Sequence, residues 1–378
     1  MSSRAERTFV SDWWWTVDRW ILSAIAILMV SGIVLTMAGS PAVAERLGLS
    51  TFHFVNRHLV YLVPTIALMV ATSFLSPRMV RRAALVVFIV GMVLIFAGLQ
   101  FGAEIKGARR WIFGVQPSEF VKPAFVILAA WAFAEGAQRK EMPGTFLALL
   151  LLPATIVPLM LQPDFGQTML ISLVWAGLFF MAGLHWFWVA GIGGLGAGGV
   201  FFAYKTLPHV RLRIDKFLDP PPAASNGGPS ATFQSDTAVE SIINGGWFGR
   251  GPGEGTVKRI LPDSHTDFIF AVTGEEFGII FCIFLLSVFA FIVLRGLIVS
   301  SRNEDGFCRF ATAGLVMLFG LQAIINMAVN LHVIPPKGMT LPFISYGGSS
   351  LLSLALTMGF LIAVTRRRPR SEIAERLS

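Results

Sequence analysis

The sequence predicts an all-α polytopic membrane protein with about ten transmembrane helices and a long extracytoplasmic loop between the seventh and the eighth. Three observations carry this. Of 378 residues, 54% are hydrophobic, 14% are charged and 33 are Phe, a composition far outside that of soluble domains. Apolar and polar residues do not alternate along the chain as a β-barrel requires. Apolar runs long enough to cross a hydrocarbon core, roughly 17 to 25 residues each, recur ten times.

The first run, Trp20–Gly39, follows Trp13-Trp14-Trp15 without a small-residue cleavage site, so it reads as an anchored span behind an interfacial aromatic belt. His58–Leu75 and Ala83–Leu99 flank a basic turn, and Ser118–Gly136, Gly144–Leu161 and Thr168–Gly183 come next. Pro64, Pro123, Pro153 and Pro158 interrupt these runs, which membrane helices tolerate where neighbours re-satisfy the backbone. Phe187–Tyr204 holds the glycine-dense Gly191–Gly199, better suited to close helix packing than to cradling a phosphate. Phe268–Arg295, Phe307–Leu331 and Gly347–Thr365 complete the set, and the whole of 1–378 reads as one membrane domain.

An even number of spans puts both termini on one side. With residues 1–19 and the tail 366–378 in the cytoplasm, sixteen of the 30 basic residues fall in inside segments, seven in short outside loops and seven in the long loop 205–267. Positive charge therefore favours cytoplasmic termini. The net charge of +8 largely reflects that bias, and no module for nucleic acid is present. Cys282 and Cys308 lie within or at the end of expected helices, which argues against a disulfide framework or a thiolate metal site.

Polar residues at the outer ends carry the candidate chemistry. The third loop reads Lys106-Gly-Ala-Arg109-Arg110-Trp111, then Gln116-Pro-Ser-Glu119 and Lys122. Glu119 and Lys122, three apart, share a helix face. Snorkelling anchors explain each cation singly, whereas four together against the charge bias suit an anionic group such as a diphosphate. Gln162-Pro-Asp164-Phe-Gly166 is either a tight turn with Asp164 capping the next helix or a polar corner at the mouth of the bundle.

The long loop balances seven acids against seven bases and ends in Leu261-Pro-Asp-Ser-His265-Thr-Asp267. Taken alone, Asp267 is a helix N-cap and His265 a loop residue. Glu275 and Glu276, two turns further on, shift the balance, since ionisable groups within a span face the interior or a wet cavity. Asp267 then tops a hydrated cavity. The glycines of 245–255 lack a following Lys-Ser/Thr, so a nucleotide P-loop is rejected. The last outer loop, Pro335–Ser350, contains Lys337 and Ser345 and follows Gln322 and Asn326. Its hydroxyls and glycines serve either helix capping and packing or contact with a sugar or phosphate.

Lys106-Gly-Ala-Arg-Arg-Trp with Gln116-Pro-Ser-Glu, Gln162-Pro-Asp-Phe-Gly, His265-Thr-Asp-Phe-Ile-Phe with Gly274-Glu-Glu-Phe-Gly, and Gly338-Met-Thr-Leu-Pro-Phe-Ile-Ser-Tyr-Gly-Gly-Ser-Ser closely resemble the SEDS proteins (shape, elongation, division and sporulation). They occur in the family's order from Trp13 onwards. The last of them, with Gly246-Trp-Phe-Gly, is similar to the division branch rather than the elongation branch.

The resemblance implies a septal peptidoglycan glycosyltransferase of the bacterial inner membrane. It would polymerise lipid II onto a growing glycan strand at the outer face, partnered by a class B penicillin-binding transpeptidase and other division proteins. It makes Asp267 the catalytic base and assigns substrate contacts to Arg110, Lys122, Arg213 and Lys337, with Glu119, Ser345, Gln162 and Asp164 beside them. A divalent cation, magnesium or manganese, is compatible with the leaving diphosphate, although no metal ligands are assigned. His265 has no required part. Thr237 stands where the family commonly has a Gln, and the 220–229 insert is rich in Pro and Gly. A flippase for the lipid-linked precursor and a non-catalytic division scaffold are the rival readings; a flippase would also need cations at its cytoplasmic mouth.

Overall fold

The computed structural model describes residues 9–105, 108–139, 143–183, 186–206, 211, 215, 233–261, 263–336 and 338–366. A short helix, α1 (Phe9–Thr16), leads into α2 (Arg19–Arg46), followed by α3 (His53–Ser73) and α4 (Pro77–Phe101). A small antiparallel hairpin, β1 (Ala103–Ile105) and β2 (Ala108–Trp111), precedes α5 (Pro117–Gln138), α6 (Gly144–Leu161), α7 (Phe165–Met181) and α8 (Trp186–Thr206). After it come α9 (Phe233–Gly245), a 3-10 turn at Val257–Arg259, α10 (Ile269–Ser301), α11 (Gly306–Asn330) and α12 (Gly348–Thr365).

Each of the ten expected apolar runs falls on one helix, α2 to α8 and α10 to α12. Eight of them are long and apolar enough to cross a membrane, and α7 is a shorter apolar helix. Local chemistry sets several starts. Asp18 accepts the N–H groups of Trp20 and Ile21 at the head of α2, and the same carboxylate takes Arg295 at 2.9 Å, so an N-cap also ties the first span to α10. Of the aromatic belt, Trp13 turns inward and donates its indole N–H to Ser73 Oγ at 2.7 Å, while Trp14 and Trp15 stay exposed.

Helices differ sharply in how much of their surface faces protein. The apolar windows of α5, α11 and α12 are 67%, 78% and 89% buried, against 22% for α4 and 28% for α6. The first three form the inner bundle and the last two its lipid-facing wall. Only the inner helices can carry polar side chains cheaply, because there each group finds a protein partner.

The structure corrects the expected 205–267 loop in two respects. It contains a helix, α9, packed on α10. And α10 is two segments, broken at Gly278 with φ +80° and ψ 176°. At the break the N–H groups of Ile279 and Ile280 donate to the carbonyls of Gly246 and Trp247, at 2.9 and 3.3 Å, instead of to their own helix. A Cβ on residue 278 would lie 2.3 Å from the Trp247 carbonyl oxygen. Ile269–Phe277 therefore belongs to the loop layer, and the second segment alone continues as the span. Gly278→Ala meets both a clash and a backbone region open essentially to glycine, at a cost on the order of 3 kcal/mol. A thermal melt of the detergent-purified variant that matched the parent would refute the break.

Candidate active site

The candidate residues that fall within the described part, Asp267, Ser345, Glu119, Lys122, Arg110, Gln162 and Asp164, are joined by one set of polar contacts. Asp267 lies on the short segment before α10. Phe268 occupies the N-cap position, and its own side chain offers no cap. The segment is instead held from outside. Ser345 Oγ donates to the Thr266 carbonyl at 2.5 Å and accepts the Leu341 N–H at 2.8 Å, and Tyr346 N–H donates to the His265 carbonyl at 3.0 Å. Asn326 and Asn330 both donate to the Asp267 carbonyl, at 2.8 and 2.9 Å. The Asp267 side chain is half-buried and points at Gly338, where an added Cβ would stand 3.8 Å from its Oδ2. His265 is buried, its ring 4.4 Å from that of Phe54 and 5.7 Å from Tyr346, and serves as an aromatic packing block. Ser345 holds the backbone beside Asp267.

Beneath this segment lies a buried ion pair. Lys122 is 1% exposed, with Nζ 2.9 Å from Glu119 Oε2 and 3.1 Å from Gln322 Oε1. Glu119 Oε1 accepts from Gln167 Nε2 at 2.6 Å. The i, i+3 spacing on α5 makes the pair as expected. Gln322 Nε2 reaches the Thr340 carbonyl at 3.1 Å and Asn326 the Met339 carbonyl at 2.6 Å. One continuous polar line thus runs from the Asp267 peptide through Asn326, the 339–340 backbone and Gln322 to Lys122 and Glu119. Such a line between inner helices costs desolvation and is retained where it has work to perform.

Arg110 is engaged by the α6–α7 turn. Its Nε donates to the Gln162 carbonyl at 2.9 Å, a second nitrogen donates to the Pro163 carbonyl, and Nη1 lies 3.7 Å from Asp164. Gln162 Nε2 in turn donates to the Ile95 and Arg109 carbonyls, both at 3.2 Å. Asp164 caps α7 through the Gln167 N–H at 3.4 Å and accepts from Gln116 Nε2 at 3.2 Å. Burial pushes its carboxyl above the usual range, opposed chiefly by the Arg110 guanidinium. A guanidinium facing two carbonyls and a carboxylate has used its fork. Arg110, Gln162 and Asp164 clamp the hairpin to the α6–α7 turn. Arg213 and Lys337, like Lys106 and the 220–229 insert, lie outside the described residues.

Of the two settings expected for Glu275 and Glu276, the protein interior or a wet cavity, the structure shows the interior: both are buried. Glu275 Oε1 accepts the N–H groups of Thr256 and Val257, both at 2.7 Å, and Oε2 accepts the Lys258 N–H and the Ser241 hydroxyl, both at 3.1 Å. Glu276 pairs with Lys258 and accepts the Gly253 N–H, and Lys258 Nζ also donates to the Ala38 carbonyl of α2 at 3.0 Å. The two acids staple the loop layer down because the glycine-rich backbone of 249–255 lets its N–H groups come close. Charge-assisted bonds of this kind are worth about 1.5 to 3 kcal/mol each. Glu275→Gln should therefore speed hydrogen exchange at 256–258 by at least about tenfold; unchanged protection there would discard the staple.

The sequence reading missed Asn330, Gln167 and Lys258. Gln322, Asn326 and Asn330 recur every fourth residue along the otherwise apolar α11, which puts three amides on one face. That recurrence is a signal readable without coordinates. Among the described residues, no three His, Cys, Asp or Glu side chains converge as a cation site.

Known proteins match this architecture along its length. A family model described as cell cycle protein, FTSW_RODA_SPOVE, covers residues 19–370. A Caulobacter vibrioides protein named "Probable peptidoglycan glycosyltransferase FtsW" is 46% identical, covering 97% of this chain and 94% of its own. A Coxiella burnetii protein of the same name is 32% identical, covering 93% and 96%. Among solved structures, a chain from work on structural coordination of polymerization and crosslinking by a peptidoglycan synthase complex superposes with a TM-score of 0.76 at 26% identity, over 92% of this chain and 97% of that one. The rod shape determining protein RodA of Thermus thermophilus gives 0.67 at 24% identity, over 93% and 97%, a likeness of fold.

Proposed function

Because the chain belongs to the FtsW/RodA/SpoVE family of cell cycle proteins, we propose that it is a peptidoglycan glycosyltransferase that polymerises lipid II during septal wall synthesis. The observation that carries the reading is Asp267: a half-buried carboxylate whose backbone is fixed by Asn326 and Asn330, beside a buried ion pair at the same end of a membrane bundle.

In the proposed step, the GlcNAc 4-hydroxyl of one lipid-linked disaccharide attacks the anomeric carbon of the MurNAc that ends the growing strand. The new C–O bond forms as the bond to the lipid diphosphate breaks, and the hydroxyl proton passes to the Asp267 carboxylate. A carboxylate is far less basic than an alkoxide, so it takes the proton as the bond forms. A single displacement inverts the anomeric centre. The departing diphosphate needs cations; with Arg110 and Lys122 engaged by protein groups, Arg213 and Lys337 are the proposed contacts. A divalent cation, magnesium or manganese, would when bound add positive charge at the departing diphosphate.

The same reading puts ten spans in the inner membrane, both termini in the cytoplasm, the 205–267 region outside, and a class B penicillin-binding transpeptidase alongside with other division proteins. The test is glycan formation from labelled lipid II by purified protein with its transpeptidase partner. Translocation of lipid II in proteoliposomes without polymer would overturn the reading in favour of transport.

A further inference from the structure

We propose that Asn330 is a positioning residue for Asp267, acting by splicing its side-chain amide into the first turn of α10 so that the carboxylate is held clear of the helix. This rests on the reading of Asp267 as the base. In an uninterrupted helix the carbonyl of residue 267 would accept the N–H of residue 271. Here the Ala271 N–H is shared between Asn330 Oδ1 at 3.0 Å and the Phe268 carbonyl at 3.1 Å, and Asn330 Nδ2 donates to the Asp267 carbonyl at 2.9 Å. One amide has been inserted between the two groups, satisfying both.

The insertion is saturated on every side. Asn330 Nδ2 gives its other hydrogen to the Asn326 carbonyl at 2.8 Å. Asn326 Nδ2 divides its two between the Asp267 carbonyl at 2.8 Å and the Met339 carbonyl at 2.6 Å. The Asp267 carbonyl thereby uses both its lone pairs, and both asparagines are buried. With all four amide hydrogens of the two asparagines and both lone pairs of the carbonyl in use, the peptide of Asp267 is fixed relative to α11 and to the 338–340 backbone. Its carboxylate faces Gly338 as a result. Remote misplacement of about 1 Å at a reacting group costs on the order of a hundredfold in rate, and the amide pair prevents that misplacement.

The experiment compares wild type, Asp267→Asn, Asn330→Leu and Asn330→Asp in polymerisation of lipid II with the transpeptidase partner. Asn330→Leu keeps the volume and loses the splice; its kcat should fall by about ten- to a hundredfold with KM for lipid II within about threefold. Asn330→Asp adds a readout that simple destabilisation would not move. Protonated, its carboxyl still donates to the Asp267 carbonyl; ionised, it repels it. Its kcat relative to wild type should be higher near pH ~6 than near pH ~8.5, the range in which a buried carboxyl loses its proton.

Full kcat in Asn330→Leu with an inactive Asp267→Asn overturns the positioning role and leaves the base in place. A raised KM with kcat intact also overturns it, since that marks a substrate contact. Full activity in Asp267→Asn overturns the base and the positioning with it. Should Asn330→Leu fail to fold, Asn326→Leu removes the other donor to the same carbonyl. If neither yields folded protein, the amides are a folding element and the proposal is wrong.

Discussion

Asp267→Asn should abolish glycan polymerisation while the protein remains folded and binds lipid II. The substitution exchanges one carboxylate oxygen for an amide of equal size, so packing against Gly338 changes little. The bonds that hold this residue reach its carbonyl rather than its side chain, and they persist in the variant. What is lost is the acceptor for the hydroxyl proton. Removing a positioned general base costs about a hundred- to ten-thousandfold in rate, enough to erase product in a gel-based assay. Normal glycan synthesis by folded Asp267→Asn would remove the base from the mechanism. In cells, full division by the same variant would support the scaffold reading instead.

The Glu119–Lys122 pair supplies the second large effect. Both side chains are almost completely buried, and each also holds a neighbouring amide, Gln167 for the acid and Gln322 for the base. Glu119→Gln or Lys122→Met alone strands the surviving charge between inner helices, at a cost of about 3 to 5 kcal/mol. The double variant leaves no charge unpaired and should cost clearly less than the sum of the two. Melting temperatures of the four detergent-purified proteins measure this. Strict additivity, or single variants as stable as the parent, would mean that the pair is not coupled. Because Gln322 also supports Thr340, both single variants should lose activity more steeply than stability alone explains.

Much of the fold is legible in the chain because a bilayer imposes a coarse rule. Runs such as Gly144–Leu161, where the helix coincides with the expected run, need only apolar length. Asp164 as a cap of α7 and Glu119–Lys122 as a helical pair are also local relations, set by spacing. Arg110 marks where such local relations stop. Composition says that a guanidinium is present, while the carbonyls of Gln162 and Pro163, some fifty residues away, decide whether its fork is taken. For Glu275 and Glu276 the choice between interior and wet cavity is likewise made by distant contacts, since the break at Gly278 beside them depends on the α9 turn.

Span positions, the side on which positive charge favours the termini, family membership and the identity of Asp267 as the residue to test all follow from one-dimensional facts: hydropathy, charge placement and motif order. Bilayer partitioning acts on each helix almost independently, which is why a linear reading suffices for them. Which polar groups are already engaged, and what holds Asp267 still, are settled by bonds between residues tens to hundreds apart in the chain: Asn330 to Asp267, Lys122 to Gln322, Lys258 to Ala38. Hydrogen bonds are short and directional, so their partners emerge only when the helices have packed.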